Sequence, residues 1–384
     1  MTARGPHPFD VVARVLAGRL QACAPSEELG AMVRSPGIAW QRVLGQASAQ
    51  LVLPAFAAAL RDLELIGSLD EDLGAFLLAV HAANVERNDE LRAELGAAVE
   101  VLNRAGIEPV LLKGAIRLVD QLYPDHGWRM MRDLDLLVPK PELAEATRAL
   151  EQAGYVKLDL GGIELGRPGE LAQIDLHPEP FSTRGQAGFL PAAEIFGGSR
   201  PAAVGNGSAR LPAIEHQLAH LIGHCQIKHL GHALGRITLR NRLEAAALFR
   251  WAGESIDLQA VSARFVAAGY RHVLSTFLLS LNDGGLCAVP VPGPIDPLIA
   301  LQRRRVALQA RSATFGYIGS RAGWWASALR SQIVERDGGE RRAIKNLKRM
   351  MFEGGAVGRM ARAFLHRGRH LVHVLPHLSW FGSL

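Results

Sequence analysis

Cysteine is scarce: 384 residues contain three, Cys23, Cys225 and Cys287, odd in number and widely separated. That excludes a disulfide framework and a cysteine-based zinc site. No stretch approaches the roughly 18 uninterrupted apolar residues of a membrane span. The opening residues, Met1 to Asp10, lack the apolar segment of a secretory signal, so a cytoplasmic protein is expected. No internal repeat is visible. Nothing matches a recognisable nucleic-acid-binding motif either, which leaves nucleic acid a minority option as partner. What is present is the composition of an ordinary globular protein, with 48% hydrophobic and 21% charged residues. A chain of this length buries a large core and divides into two or three lobes.

The run Arg129-Met130-Met131-Arg132-Asp133-Leu134-Asp135-Leu136-Leu137-Val138 carries the most information. Residues two apart on a strand share a face, so Asp133 and Asp135 project together while Leu134, Leu136 and Val138 turn into a core. Two adjacent carboxylates repel unless a cation neutralises them, and a hard divalent ion such as Mg²⁺ suits oxygen donors. The competing reading is an exposed edge strand with ordinary charges, against which the apolar run from Leu134 to Val138 argues. Farther along, Leu171-Ala172-Gln173-Ile174-Asp175-Leu176-His177 alternates again, with Gln173, Asp175 and His177 on one face. If the two strands are neighbours, three carboxylates converge. Three acids holding two Mg²⁺ ions suit in-line attack on a nucleoside triphosphate. Upstream, Glu108 to Leu112 reads as a strand running into a helix from Lys113-Gly114. Such a turn offers backbone N–H groups to a phosphate, and Lys113 adds positive charge.

In order, Leu112-Lys113-Gly114, Tyr123-Pro124, Arg129, Asp133-Leu134-Asp135-Leu136-Leu137-Val138 and Asp175-Leu176-His177 make a pattern that resembles the uncharacterised nucleotidyltransferase family of the DNA polymerase beta superfamily. The resemblance covers roughly residues 40 to 270. It implies a small mixed nucleotidyltransferase sheet, an α/β (α+β) fold flanked by N-terminal and C-terminal helical lobes. It further implies that Asp133, Asp135 and Asp175 hold the metals, that Lys113 and Gly114 meet the triphosphate, and that Arg129 anchors nearby. The chain departs from the wider superfamily at Ala115, where a serine commonly follows the glycine. That substitution removes one hydroxyl contact to phosphate.

Along the chain, residues 1–105 read as a helical lobe ending in a long helix from about Val85 to Ala105, and 106–200 as the catalytic core. Within the core, Pro141 to Ala153 reads as a helix, Tyr155 to Leu160 as a strand, and Gly161-Gly162 and Arg167-Pro168-Gly169 as turns bracketing a hairpin arm. Gly197 to Gly207 reads as a loop between lobes. A second helical lobe follows over 208–290, and a basic helical region over 298–384. His216, His220 and His224 fall at i, i+4 and i+8, opposite the stripe of Ile214, Leu218, Leu221 and Cys225. The outer two lie about 12 Å apart along a helix axis and do not share one ion. Three readings stay open for this arc: a cleft lining, a metal pair and solvated surface. His220 and His224 are candidates for the acceptor side of a cleft, as is His177.

Charge is uneven. Residues 301–384 carry 16 Lys and Arg against 4 Asp and Glu, so a net of +6 for the whole chain leaves the first 300 residues acidic. The basic region has the character to contact an acidic acceptor or an anionic surface, or is simply a solvated face. The expected activity is Mg²⁺-dependent transfer of a nucleoside monophosphate from an NTP, ATP by default, to a hydroxyl on a small molecule, a modified peptide or a protein. Asp175 would also help deprotonate that hydroxyl. The alternatives are an inactive nucleotide-binding scaffold, or a phosphoryl or sugar-phosphate transferase on the same metal site.

Overall fold

The computed structural model describes residues 5–21, 24–158, 162–181, 188–312, 315–317, 319, 320 and 323. All but the last lie in one unit, Met1–Ala322. The basic stretch beyond residue 323, with the contacts expected of it, lies outside the described residues; Arg303, Arg304 and Arg305 lie within them, on a helix.

Four amphipathic helices come first, α1 (Pro8–Leu20), α2 (Glu27–Val33), α3 (Trp40–Ala49) and α4 (Leu53–Asp62). Short side chains allow close approach: Ala55, Ala57, Ala58 and Ala59 of α4 are fully buried against Val12, Val15 and Leu16 of α1. The 34-residue α5 (Glu71–Arg104) follows, capped by the Asp70 carboxylate, which accepts from the Asp72 N–H. It starts fourteen residues before the expected Val85 because Glu71 and Asp72 suit a helix N-terminus. At 1.5 Å per residue it is about 50 Å long, enough to serve two cores: Leu77 packs with the first four helices, and Leu91, Leu95, Val99 and Leu102 pack on the sheet.

Seven strands make one mixed sheet: β1 (Val110–Leu111), β2 (Asp133–Leu137), β3 (Val156–Leu158), β4 (Glu164–Gly166), β5 (Gln173–His177), β6 (Arg200–Val204) and β7 (Gly207–Leu211), in the order β3-β4-β5-β2-β1-β7-β6. Pairs β2–β5 and β1–β7 are parallel and the rest antiparallel. The expected hairpin arm is β3–β4. The stretch from Gly197 to Gly207 is not a loop: β6 and β7 form a hairpin that extends the sheet beside β1. Glycine, serine and proline dominate that stretch because a hairpin turn and an edge strand tolerate them.

Between the strands run α6 (Lys113–Arg117), α7 (Leu143–Gln152, after a 3₁₀ turn at Lys140–Glu142) and α8 (Ala192–Gly197). The helices α9 (Ile214–Ile222), α10 (Gly231–Leu234), α11 (Leu239–Ala252), α12 (Leu258–Ala267), α13 (Arg271–Asp283) and α14 (Pro297–Arg311) follow. Alternation along β2 assigns the two faces. Leu134, Leu136 and Val138 pack with α5 and α7, whereas Leu137, with Val110 and Leu112, packs with α9, α12 and α13. The acids on β2 therefore point toward the helices that follow the sheet. No helix among the described residues is long and apolar enough to cross a membrane.

Asn103 joins these layers. Its Nδ2 donates to the Ile107 carbonyl at 3.0 Å and the Ser208 carbonyl at 2.9 Å, and its Oδ1 accepts from the Ser208 N–H at 2.7 Å. Asn103→Ala removes all three bonds, and a loss of about 2 kcal/mol is expected from the partners left unpaired. Urea unfolding with an unchanged slope checks it.

Candidate active site

Parallel pairing of β2 with β5 sets Asp135 opposite Asp175 and Asp133 opposite Gln173. On the other side of β5, β4 sets Glu164 opposite Asp175. A row of carboxylates, Glu164, Asp175 and Asp135, thus crosses three neighbouring strands, with Asp133 at the exposed start of β2. Glu164 was not legible beforehand, because only the pairing of a three-residue strand brings it into line. Burial, together with the charges of Asp175 and Asp133, pushes its carboxyl above the ordinary value of 4.5.

Asp135 is 1% exposed, and a charge there must be compensated. His177 Nε2 lies 2.8 Å from Asp135 Oδ1 and 3.0 Å from Asp175 Oδ2. Carboxylates only accept, so Nε2 carries a proton. Lys113 Nζ also bonds Asp135 Oδ1. Burial opposes the Asp135 charge, but His177 and Lys113 outweigh it and hold the carboxyl at about 2. Burial likewise pulls His177 down, and its bonds to the two aspartates outweigh that, raising the ring above its ordinary 6.5. Ligand atoms of Asp135, Asp175 and His177 lie within 4.8 Å of one another. Two carboxylates in line, with Asp133 on the same strand face, are a donor set that fits a hard divalent cation.

Lys113 reaches Asp135 because it takes a left-handed conformation, φ +49°, at the turn from β1 into the single-turn α6. That costs a non-glycine residue about 1 kcal/mol. Gly114 is required by a close approach: a Cβ there would meet Met131 Cγ and Sδ at 2.9 Å.

Arg129 stands on a loop suspended from α5. Asn84 and Asn88 donate to its carbonyl at 3.3 and 2.8 Å, Asn84 also to the Gly127 carbonyl at 2.8 Å, and Arg87 to the Met131 carbonyl at 3.1 Å. Gly127 lets that loop press on α5, since a Cβ would lie 2.6 Å from His81 Nε2. The Arg129 side chain is buried, its Nε donating to Glu244 Oε2 at 2.9 Å and its Nη1 to the Met130 carbonyl at 2.7 Å. Glu244 also accepts from Arg117 at 3.3 Å. Burial opposes the Glu244 charge, and Arg129 and Arg117 outweigh it, holding the carboxyl below 4.5. In sequence, Glu244 lies four residues after Arg240, the spacing of an ordinary surface pair, so nothing marked it out.

Opposite the acids, α9 runs into a π-helical turn, Gly223–Lys228, and Leu230 is left-handed at φ +58°. His220 is 4% exposed and meets Phe181 edge-on at 5.4 Å; His224 lies 5.7 Å from His220 and 4.4 Å from His229, ring centre to ring centre. Burial, reinforced by Lys113, drives His220 down to about 3 and pulls His224 down as well. Both are neutral hydrogen-bonding groups at neutral pH. Burial also lifts the Cys225 thiol to about 12, which leaves it unreactive.

One cleft of about 780 Å³ gathers Lys113, Gly114, Arg129, Asp133, Asp135, Asp175, His220 and His224. His177 touches two of its acids. The residues singled out in the sequence are thus brought together, although Lys113 and Arg129 are each bound to a carboxylate.

The profile of the uncharacterised nucleotidyltransferase family matches residues 36–282. No curated protein matches the chain. Among solved structures, an antigenic nucleotidyltransferase-like protein from Paracoccidioides brasiliensis is similar at 15% identity, over 53% of this chain and 97% of that one, with a TM-score of 0.33.

Two outcomes follow from the geometry. In metal-free protein, NMR should show the His177 ring titrating above 6.5, and Asp135→Asn should bring it down. A raised folded value means that the stability His177 supplies is complete below its ordinary pKa and fades as pH climbs through the raised one; an unshifted ring would disprove the bridge. Glu244→Gln should lose about 3 kcal/mol or more, since the buried Arg129 guanidinium loses its counter-charge while Arg117 keeps only Asp120, as read by thermal or urea unfolding.

Proposed function

Because the chain belongs to the uncharacterised nucleotidyltransferase family, we propose that it transfers a nucleoside monophosphate from an NTP, ATP by default, to a hydroxyl-bearing acceptor with Mg²⁺. The observation that carries this reading is the register of Asp135 opposite Asp175, with Asp133 on the same strand, in a cleft shared with Lys113 and Gly114. Asp133, Asp135 and Asp175 would hold the metal ions, which supply Lewis-acid charge for the transferring phosphorus when bound.

The chain's own residues do the rest. His177 bridges two carboxylates that would otherwise repel, keeping them aligned before substrate enters. Lys113 holds Asp135 and stands beside Gly114 at the turn that faces the phosphates. Asp175, less buried than Asp135, would take the acceptor's proton. His220 and His224, neutral in the helical wall, offer donor and acceptor nitrogens without adding charge. The acceptor is a small molecule, a modified peptide or a protein side chain.

With Mg²⁺ and candidate acceptors, α-labelled triphosphate should mark the acceptor and release pyrophosphate, and γ-labelled triphosphate should leave it unmarked. Asp135→Asn and Asp175→Asn should each lower the rate by about a hundredfold or more. Transfer of the γ label would replace this reading with a kinase-like one, and unimpaired aspartate variants would remove the acids from the chemistry.

A further inference from the structure

The two cations that the sequence nominated for phosphate are already engaged. Lys113 is held by Asp135 and Arg129 by Glu244. Three others in the same cleft are not, one of them the exposed Arg132 beside the first acid. Lys228 and Arg240 both line it, and among the described residues neither makes an ion pair or a hydrogen bond. The Nε of Arg240 is buried without a partner. Lys228 closes the π-helical turn and lies within electrostatic reach of Asp135, Asp175 and Lys113, facing the acids from the opposite wall.

The cleft as a whole is positive. Seven lysines and arginines line it against four carboxylates, an excess that favours an anion. The unpaired atoms of that wall extend beyond Arg240. His220 Nε2 and Gln226 Oε1 are also buried without a partner, and both residues line the cleft, His220 being 4% exposed. Leaving a buried polar atom unpaired costs its full desolvation. Several on one wall, among them a guanidinium, mark where a polar ligand completes the structure. A π-turn inside an α-helix is a local irregularity that often attends function, and here it brings Lys228 into the cleft.

We propose that Lys228 and Arg240 form the anion subsite of this cleft, holding the outer phosphates of the nucleoside triphosphate and, after transfer, the pyrophosphate that leaves. This rests on the nucleotidyltransferase reading above and deepens it. In the step it serves, the acceptor oxygen bonds to the α-phosphorus, the bond from that phosphorus to the bridging oxygen breaks, and the electron pair leaves with pyrophosphate. The acceptor's proton passes to a carboxylate of the acid wall. Charge developing on the leaving oxygens then meets cations to which, among the described residues, no carboxylate is bonded.

The test is calorimetric titration of the full chain with Mg²⁺ and ATP, with Mg²⁺ and inorganic pyrophosphate, and with AMP. Lys228→Met and Arg240→Met should each weaken ATP and pyrophosphate binding by about 10- to 100-fold, the range for a charge-assisted bond to phosphate. AMP affinity should be unchanged, and Lys228→Arg should recover much of the loss. Unchanged pyrophosphate affinity in the folded variants, while the intact chain still transfers nucleotide, overturns the subsite and leaves the enzyme reading standing. Equal losses for AMP overturn it too, since the pair would then serve the inner part of the nucleotide. Failure of the intact chain to bind any triphosphate overturns both. If Arg240→Met does not fold, Arg240→Lys and Lys228→Met decide the matter.

Discussion

A carboxylate in the middle of a sheet has to be compensated, and the arrangement around Asp135 follows from that constraint. Its 1% exposure removes water as a partner, so the charge persists only because Lys113 and His177 converge on the same oxygen. Each partner needs its own support. Lys113 reaches across only from a left-handed turn, and Gly114 must lack a side chain to let Met131 close behind it. His177 is aligned because β5 pairs in register with β2, which also delivers Asp175 to the other side of the same ring nitrogen. The acid cluster is thus assembled before any ligand arrives, as preorganised electrostatic catalysis demands.

A second buried charge performs the corresponding task on the helical side. Glu244 neutralises Arg129 and Arg117, tying α11 to the loop that leads into β2 and to the helix that leads out of β1. Asn84, Arg87 and Asn88 bind that loop through backbone carbonyls, so its path depends on the polar face of α5 more than on its own side chains. The two walls of the cleft differ in chemistry as a result. One is a row of paired acids on strands; the other holds neutral histidines and unpaired cations on helices. The metal-bearing polyanion proposed above would complement both.

Strand periodicity made much of the acid wall legible in advance. A period of two put Asp133 with Asp135 and Asp175 with His177, and sent Leu134 and Leu136 the other way, as they lie. Glu164 escaped notice because its strand is three residues long and its neighbours are set by pairing alone. The histidine arc was visible as a spacing, but the π-turn after Ile222 changes the helical phase, and no local preference announces it. The stretch from Gly197 to Gly207 has the composition of a loop, yet it is a hairpin because β1 offers an open edge to β7.

The sequence by itself determined the identities and faces of Asp133, Asp135, Asp175 and His177, the strand-to-helix turn at Lys113-Gly114 and the helical character of the flanks. Side-chain alternation and helix signals are local, and they survive whatever the rest of the chain does. Tertiary structure alone decided which charges are free. Lys113, Arg129, Lys228 and Arg240 look alike as residues, yet Asp135 bonds the first and Glu244 the second, whereas among the described residues no carboxylate bonds the last two. The physical reason is that a counter-charge acts over a few ångströms of space, and Arg129 and Glu244, 115 positions apart in the chain, become neighbours only when the sheet and the helices pack.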